Sequence, residues 1–408
     1  MELLNQPFNG QLGDRLIELL DSEDFHTLNI AVAFAKNSGV LRIKDSLQRF
    51  RGRGGTVNAY VGVDLGGTSY EALTALLLHT DSLNVVHSER GQTFHVKIYQ
   101  FIGPEKGLIA VGSNNLTGGG LWTNFESSLL VPMDSSSTIE KRIFERMGGY
   151  IADLAALKKL LLPIASQDDI DKLLQHGYVV KEVAEQIRLA KIAARDGVRE
   201  RLFGNGVRAK LPRVAVPKKD KTGAVSKTSP KSVSEEPRDE DQTIWFETKS
   251  MTGGSRNILD LSMRSLVERG DPKGTPFDLG DPRFMRGGVE FFELNPTATE
   301  QIKDITLNFE GVDYAGNTIL FPTGSNANGT WRLQIKGTSS ANRRITEAFR
   351  AKGDAYYLVK KIVTFTKVSG DYYFMSVFPE SEIENFEAAS RILARNGSTR
   401  SAKRLGLL

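Results

Sequence analysis

A segment near the middle of the chain divides it into two parts that must fold separately. Residues 216–238 are rich in Pro, Ser, Lys and Glu and contain no aromatic residue, a composition with too little apolar surface to build a core. Before this segment, strand patterns alternate with helix patterns. After it, short runs of aromatic and branched residues are separated by Gly, Asn and Pro. The sequence therefore predicts an α/β domain followed by an all-β domain.

Hydrophobic periodicity sets the expected elements within each part. In the first part, apolar runs of strand length predict strands at 28–35, 57–63, 83–87, 94–101, 107–112 and 125–131. Helical patterns fall at 41–50, 70–78, 138–161 and 167–195. We therefore expect a mixed sheet flanked by helices in the first part. In the second part, runs at 243–247, 257–262, 288–294, 305–309, 318–321, 331–336, 356–365 and 372–378 predict a barrel or sandwich.

The predicted organisation has five parts. They are an α/β domain, a helical connector, a flexible linker, an all-β domain and a tail, with the expected boundaries 1–155, 156–204, 205–241, 242–385 and 386–408.

Composition excludes several classes of protein. The chain has 408 residues and no cysteine, which rules out disulfides, zinc fingers, iron–sulfur clusters and thiol catalysis. No apolar run reaches the ~18 residues of a membrane helix, and the first ten residues lack the pattern of a signal peptide. We expect a soluble, cytoplasmic protein that does not contact membranes. The formal net charge of +4 is too small to indicate a nucleic-acid partner by itself.

Five polar residues in the first part form a candidate catalytic set. His95 and Lys97 stand two residues apart in a strand pattern, so alternation places them on one face. Ser113 and Asn115 follow the next predicted strand across a turn that glycine allows, and Glu126 opens the strand after that. These residue types suit metal-free cleavage of a phosphodiester. An imidazole can attack phosphorus, while an ammonium and an amide can stabilise the charge of the transition state. A carboxylate can orient the imidazole ring. The spacing alone is equally consistent with a non-catalytic interpretation, in which a strand carries a solvated His and Lys and a Ser–Asn turn follows the next strand.

The same residues carry a resemblance to a known family. His-x-Lys, then Gly-Ser-x-Asn, then Asn-x-Glu resembles the phospholipase D superfamily, and within it the small nucleases and the BfiI/NgoFVII-like restriction endonucleases. The resemblance implies a metal-independent phosphodiesterase that passes through a phosphohistidine and needs no cofactor. It implies His95 as nucleophile and as general acid/base, Lys97 and Asn115 for transition-state charge, Ser113 for phosphate or ring support, and Glu126 to orient His95.

Two departures from the superfamily pattern are visible, and one copy of the motif is missing. The aspartate expected after His-x-Lys would fall at Ile102, and the turn at 103–107 is longer. The superfamily site uses two His-x-Lys copies, one to attack and one to protonate the leaving oxygen. The other four histidines of this chain are not followed by lysine at that spacing. We therefore expect a homodimer with one shared site on its twofold axis.

Two other motifs allow a functional interpretation that we consider weaker. The glycine-rich stretch 62–68 is similar to the phosphate loop of actin-like sugar kinases, although the helical pattern that follows it fits a turn capping a helix. Glu247 and Lys249 match the Glu-x-Lys of metal-dependent nucleases, but no convincing upstream aspartate completes that motif, so we attribute the match to chance.

The second part contains two loops suited to reading DNA. Both are rich in Gly, Ser and Asn with a basic residue. Arg and Asn can read bases in the major groove, but ordinary hairpin turns have the same composition. This part resembles the C-terminal domain of NgoFVII-type enzymes, a pseudobarrel related to plant B3 DNA-binding domains, in which two arms clamp the major groove. The arms would be 249–257 and 322–332. The implied DNA contacts are Lys249, Arg256, Asn257, Ser325, Asn326, Asn328, Trp331, Arg332, Lys336, Arg343 and Arg344.

These expectations combine into one function. The chain is expected to be a sequence-specific restriction endonuclease that acts on double-stranded DNA as a homodimer, with no metal. A separate ATPase or helicase-like subunit is a further candidate partner. The alternatives are a nonspecific nuclease or phospholipid hydrolase of the same superfamily, and a DNA-binding regulator with an inactive nuclease domain.

Overall fold

The described chain forms two compact units, residues 1–179 and residues 180–195 together with 242–408. The computed structural model describes residues 1–134, 136–195, 242–250, 255–324, 329–352 and 356–408. The linker expected at 205–241 lies outside the described residues.

The first unit is an α/β domain built on an eight-stranded mixed sheet. Its elements are β1 (Glu2–Gln6), α1 (Leu12–Asp21), β2 (Thr27–Val32), α2 (Asn37–Gly52), β3 (Thr56–Gly62), α3 (Tyr70–His79), β4 (Ser82–Val86), β5 (Lys97–Ile102), β6 (Lys106–Gly112), β7 (Glu126–Asp134), α4 (Thr138–Ala156), β8 (Leu161–Ile164) and α5 (Gln167–Gln175). The strand order is β1-β7-β6-β5-β2-β3-β4-β8. The six predicted strands are confirmed to within three residues at each end, while β1, α1 and β8 were not predicted.

The sheet is covered on both faces at its centre. Residues 28–32 of β2 are all buried, as expected for a strand between two layers of helices. Helices α1, α2 and α3 pack side by side. Helix α4 buries Ile151 and Leu154 against Ala31 of β2 and Tyr60 of β3.

The direction of the strands brings several chain segments to one edge of this sheet. β2, β3 and β4 run parallel, β5 is antiparallel to β2, and β5, β6 and β7 alternate in direction. The ends of β2, β3, β4 and β6 and the beginnings of β5 and β7 therefore meet at the same edge, which we name the upper edge.

The glycine-rich stretch after β3 is a turn that leads into α3. Thr68 Oγ1 donates to the carbonyl oxygen of Gly62 (2.6 Å) and accepts from the N–H of Ala35 (3.0 Å). The side chain of Ser69 accepts from the N–H of Ala72 and caps α3. The stretch has the turn-and-cap arrangement that we favoured over a kinase phosphate loop, with Ser69 rather than the preceding residues as the cap.

The second unit is built on a 12-stranded sheet. Its elements are α6 (Glu182–Arg195), β9 (Thr243–Glu247), β10 (Ile258–Leu261), β11 (Arg264–Arg269), β12 (Asp278–Asp281), β13 (Phe284–Arg286), β14 (Ile302–Phe309), β15 (Val312–Leu320), β16 (Trp331–Gln334), α7 (Ile345–Ala351), β17 (Lys361–Ser369), β18 (Tyr372–Pro379), α8 (Ile383–Ala389), β19 (Ile392–Arg395) and β20 (Arg404–Leu407). The strand order is β10-β16-β15-β14-β18-β17-β9-β20-β19-β11-β13-β12.

One hydrophobic core holds this long sheet together. Leu259 of β10 and Met285 of β13 come from strands near opposite ends of the strand order, yet both belong to one buried cluster. The sheet therefore curves around that cluster. The predicted strand at 288–294 is wrong, because Gly288–Phe292 forms a short 3-10 helix that buries Val289 and Phe292.

The structure divides the chain differently from the expected boundaries in two places. The expected connector, 156–204, is shared between the units: β8 pairs with β4, whereas α6 buries Val183 and Ile187 against Trp245. The expected tail, 386–408, contributes β19 and β20 to the sheet. In the described parts of the chain, no helix is long and apolar enough to cross a membrane.

A buried ion pair joins β9 to β20. The carboxylate of Glu247, 4% exposed, accepts hydrogen bonds from the backbone N–H and the guanidinium of Arg404, which also pairs with Glu387. Burial raises the pKa of Glu247, but the hydrogen bonds and charge of Arg404 outweigh burial and leave that pKa below its ordinary value. Glu247 thus makes a structural contact with Arg404, in keeping with our view that the Glu-x-Lys match arises by chance.

Candidate active site

The upper edge of the first unit brings the five predicted catalytic residues together. His95 precedes β5 and Lys97 begins it; Ser113 and Asn115 follow β6; Glu126 begins β7. Because β5 pairs with β6 and β6 with β7, these three chain segments are neighbours although up to 31 residues (126 − 95) separate them along the chain.

His95 and Lys97 form a hydrogen-bonded pair. Lys97 Nζ lies 2.9 Å from His95 Nδ1 and donates to the carbonyl oxygen of His95 at 2.9 Å. The His95 side chain is exposed, whereas Lys97 is only 7% exposed. When the Lys97 ammonium donates to Nδ1, the neutral His95 ring carries its proton on Nε2. Attack on phosphorus through Nε2 requires the other tautomer, and donation of a proton through Nε2 requires the imidazolium.

Ser113 links the end of β6 to the beginning of β7. Its hydroxyl donates to the carboxylate of Glu126 and accepts from the N–H of Ser127 (3.0 Å). Asn124 Nδ2 also donates to Glu126, at 3.2 Å. The carboxylate of Glu126 therefore accepts hydrogen bonds from Ser113 and Asn124, whereas the ring of His95 is hydrogen-bonded to Lys97. Glu126 was predicted to orient the His95 ring; in the structure its carboxylate contacts Ser113 and Asn124, and that role stays a prediction.

Asn115 is held by the segment that continues β2. Its Oδ1 accepts from the N–H of Phe34 at 3.1 Å, which aligns its amide side chain. The ring of Phe34 contacts the ring of His95 edge-on, with centroids 6.0 Å apart. Phe34 was not predicted, because an aromatic residue at the end of an apolar run is usually part of the core.

The electrostatics of Lys97 reflect its burial. Burial lowers the pKa of Lys97, and the charge of Glu126 opposes this effect without cancelling it. The opposing influence of Glu126 also shows that its carboxylate acts on Lys97 across the upper edge.

Asp64 and His87 are further polar residues at this edge that sequence reasoning missed. Asp64 Oδ1 lies 2.8 Å from His87 Nδ1, and Asp64 Oδ2 accepts from the N–H of Phe94 at 2.9 Å. Asp64 therefore ties both ends of the loop between β4 and β5, directly before His95. A lone Asp in a glycine-rich turn carries no sequence signal for this role. Among the described residues, no group of His, Asp and Glu side chains forms a metal-binding cluster.

Six of the eleven predicted DNA contacts of the second unit lie just after β9 or near the end of β16. Asn257 lies beside the end of β16, where its carbonyl oxygen accepts from Ile335 N–H at 2.9 Å. Near this end of β16 are the exposed Lys336, Arg343 and Arg344. Arg256, just before Asn257, places its guanidinium 5.8 Å from the ring centroid of Tyr356. Lys249 is exposed after β9.

The remaining contacts are placed differently. Trp331 is fully buried, and its indole N–H donates to the carbonyl oxygen of Pro296 at 3.0 Å. It is a core residue, so its prediction as a direct DNA contact is corrected. Arg332 is half-buried, and its Nε lies 3.8 Å from Asp260 Oδ1. Ser325, Asn326 and Asn328 lie outside the described residues.

Comparisons with known proteins find similarity only among solved structures. No protein-family profile and no curated protein matches. Nuc, a phospholipase D family member from Salmonella typhimurium, is 15% identical and has a TM-score of 0.30, with 40% of this chain and 97% of that chain covered. NucT from Helicobacter pylori is 18% identical, TM-score 0.25, with 36% and 93% covered. Phosphatidylserine synthase from Haemophilus influenzae is 12% identical, TM-score 0.31, with 48% and 46% covered. With identities this low, a functional proposal must rest on the geometry of the site.

Proposed function

We propose that this chain is a metal-independent phosphodiesterase of the phospholipase D type that cleaves double-stranded DNA at specific sites, as a restriction endonuclease does. The observation that carries the proposal is the meeting of His95 and Lys97 with Ser113, Asn115 and Glu126 at one sheet edge. A nucleophile, a cation and an amide are then available within one site, which is the set that phosphoryl transfer without a metal requires.

The chemistry proceeds in two displacements. An imidazole nitrogen of His95 attacks phosphorus, the bond from phosphorus to the leaving oxygen breaks, and a second, protonated imidazole donates its proton to that oxygen and becomes neutral. The second imidazole, now neutral, takes a proton from the water that attacks the phosphohistidine, and the P–N bond breaks and frees His95. Lys97 and the amide of Asn115 stabilise the charge on the non-bridging oxygens. Glu126 acts through Ser113, which it holds beside the site.

The second imidazole comes from a second copy of the chain. Each chain has one His-x-Lys motif, so the nucleophile and the proton donor must come from two subunits. The proposed homodimer brings two His95 rings to one twofold axis. In one subunit Nε2 attacks, which needs the ring proton on Nδ1. In the other, the ring is an imidazolium, and Nε2 donates its proton to leave a neutral ring.

The second unit supplies DNA recognition in this proposal, as a B3-like pseudobarrel. The two proposed arms join the opposite ends of the β10–β16 pair, whose register runs from Ile258 to Leu261. At ~3.3 Å per residue, the two points at which the arms meet the strands lie about 10 Å apart. This distance is comparable with the ~12 Å width of the major groove. The exposed cations Lys336, Arg343 and Arg344 are suited to phosphate contacts.

Cleavage is expected to continue when divalent metals are removed. The purified protein should cut plasmid DNA at the same rate, within about twofold, with and without excess EDTA, because ammonium and amide groups rather than a metal stabilise the transition state. Sequencing of the ends should find one recurring site. Complete loss of cleavage with EDTA contradicts the mechanism, and ends scattered over all sequences contradict the restriction-type specificity.

The pH dependence of cleavage should report the lowered pKa of Lys97. Lys97 must be protonated to stabilise the transition state, and burial lowers its pKa below the ordinary 10.5. The alkaline fall in kcat/KM should therefore occur at a lower pH than for an ordinary lysine. In Lys97→Arg, this fall should disappear from the pH–rate profile, because arginine stays protonated. If the fall persists unchanged in Lys97→Arg, another group is responsible for it.

A further inference from the structure

Two phenyl rings are exposed together beside the candidate active site. Phe8 and Phe125 are 62% and 67% exposed, and their centroids lie 5.6 Å apart at an interplanar angle of 33°. Large apolar side chains are normally buried, and adjacent exposed aromatics mark a surface that binds something. The pair therefore presents an apolar aromatic surface to solvent.

A buried hydrogen-bond network holds the two rings in place. Gln6, 1% exposed, donates through Nε2 to the carbonyl oxygens of Gly119, Gly120 and Asn124, at 3.3, 3.2 and 3.1 Å. Its Oε1 accepts from Leu12 N–H (3.2 Å) and Asn114 Nδ2 (3.4 Å). Gln6 thus joins the turn that carries Phe8 to the segment that carries Phe125, so the pair is preorganised rather than loosely exposed.

The phenyl pair is next to the candidate active site along the chain. Phe125 directly precedes Glu126, whose carboxylate accepts a hydrogen bond from Ser113. In a nucleotide, the base is one sugar away from the phosphate. A phosphate held by Ser113, Asn115 and Lys97 therefore places a flat aromatic group in the neighbourhood of the two phenyl rings.

We infer that Phe8 and Phe125 form a stacking platform for an unpaired nucleobase next to the scissile phosphate. The inference rests on the proposed function and adds a substrate requirement to it: at least one base beside the cut leaves the duplex stack. Phenyl faces accept any base, because every base has a π face. The platform therefore contributes affinity without contributing sequence specificity, which remains with the second unit.

Two small phosphodiesters test this platform without involving duplex recognition. Thymidine 5′-(4-nitrophenyl phosphate) carries a base, and methyl 4-nitrophenyl phosphate does not, while both release 4-nitrophenolate. In the full chain, the Phe8→Ala/Phe125→Ala variant should lower kcat/KM for the thymidine ester roughly 10-fold and leave the methyl ester unchanged. Phe125→Tyr should retain the preference for the thymidine ester, and Phe125→Leu should lose most of it.

Leu162→Ala is the matched control, because Leu162 is 47% exposed on β8, at the other end of the sheet. It should change neither ester. The platform is overturned if the double variant keeps the wild-type ratio of kcat/KM for the two esters, whether both values fall equally or neither changes. So does a sedimentation result in which Phe8→Ala/Phe125→Ala dissociates a dimer that Phe125→Leu retains, since the pair is then a protein interface. If the wild type hydrolyses neither ester, the proposed function fails as well; if it hydrolyses both without preference, the platform alone fails.

Discussion

Replacing His95 with alanine is expected to lower the rate of DNA cleavage by about 10⁴-fold or more. The variant loses both the attacking nitrogen and the proton donor, because the same residue serves each role in the two subunits, and removal of a covalent nucleophile has effects of this size. Binding to the recognised DNA site should remain, since that site is read by the second unit. Cleavage rates and gel-shift affinities at one fixed salt concentration measure the two effects.

His26→Ala provides the matched control for this variant. His26 is exposed at the beginning of β2 and contacts Thr27 (2.9 Å), away from the upper edge. Its replacement should leave cleavage unchanged. Retained cleavage in His95→Ala contradicts the mechanism. Loss of both cleavage and binding, together with a lower unfolding midpoint, identifies His95 as a structural residue instead.

Replacing Arg404 with methionine is expected to reduce the free energy of unfolding of the second unit by about 3–5 kcal/mol. The change leaves the carboxylate of Glu247 buried at 4% exposure without its main cation, and breaking a buried ion pair on one side has this cost. Urea unfolding followed by tryptophan fluorescence measures it, because Trp245 and Trp331 are fully buried in this unit.

Two further variants separate the ion pair from a general effect of mutation. Glu247→Gln/Arg404→Met should recover part of the loss, since no uncompensated charge stays buried. Arg188→Met removes an exposed pair with Glu185 and should change stability by less than about 1 kcal/mol. If Arg404→Met behaves like Arg188→Met, the pair does not hold β20 to β9.

The same pair sets a direction for the pH dependence of stability. The pKa of Glu247 in the folded state lies below its ordinary value of 4.5. The ionised carboxylate therefore stabilises the fold above that ordinary value, and this contribution is lost as the pH falls through the lowered pKa. In Glu247→Gln, this part of the acid-induced loss should be absent.

The elements that were predicted correctly are those whose signal is local. Strands such as β2 and β6 are short apolar runs, and the polar residues at their ends sit where strand alternation and a glycine turn place them. Strands β19 and β20 were missed for the opposite reason. Each is four residues long. Arg404 of β20 pairs with Glu247, which lies 157 residues away in the sequence, and no local pattern indicates such a distant partner.

Which aromatic residues are buried is likewise decided by the tertiary structure. Trp331 and Phe125 both belong to residue types that favour the core, yet Trp331 is fully buried and Phe125 is 67% exposed. The difference lies in their neighbours: Trp331 faces the cluster enclosed by the curved sheet, whereas Phe125 stands at a sheet edge with Phe8. An aromatic residue in a sequence cannot reveal which of these surroundings it has.

The sequence by itself determined the two-part organisation, the alternation of the first unit and the residue types of the candidate site. A linker composition cannot build a core, and strand periodicity follows from side chains that alternate in direction. Only the tertiary structure decided that His95, Ser113 and Glu126 meet, because that depends on the antiparallel register of β5, β6 and β7. It also decided that Glu126 bonds to Ser113 while Lys97 bonds to His95, since hydrogen bonds of this kind are set by distances of a few tenths of an ångström that spacing along a chain does not specify.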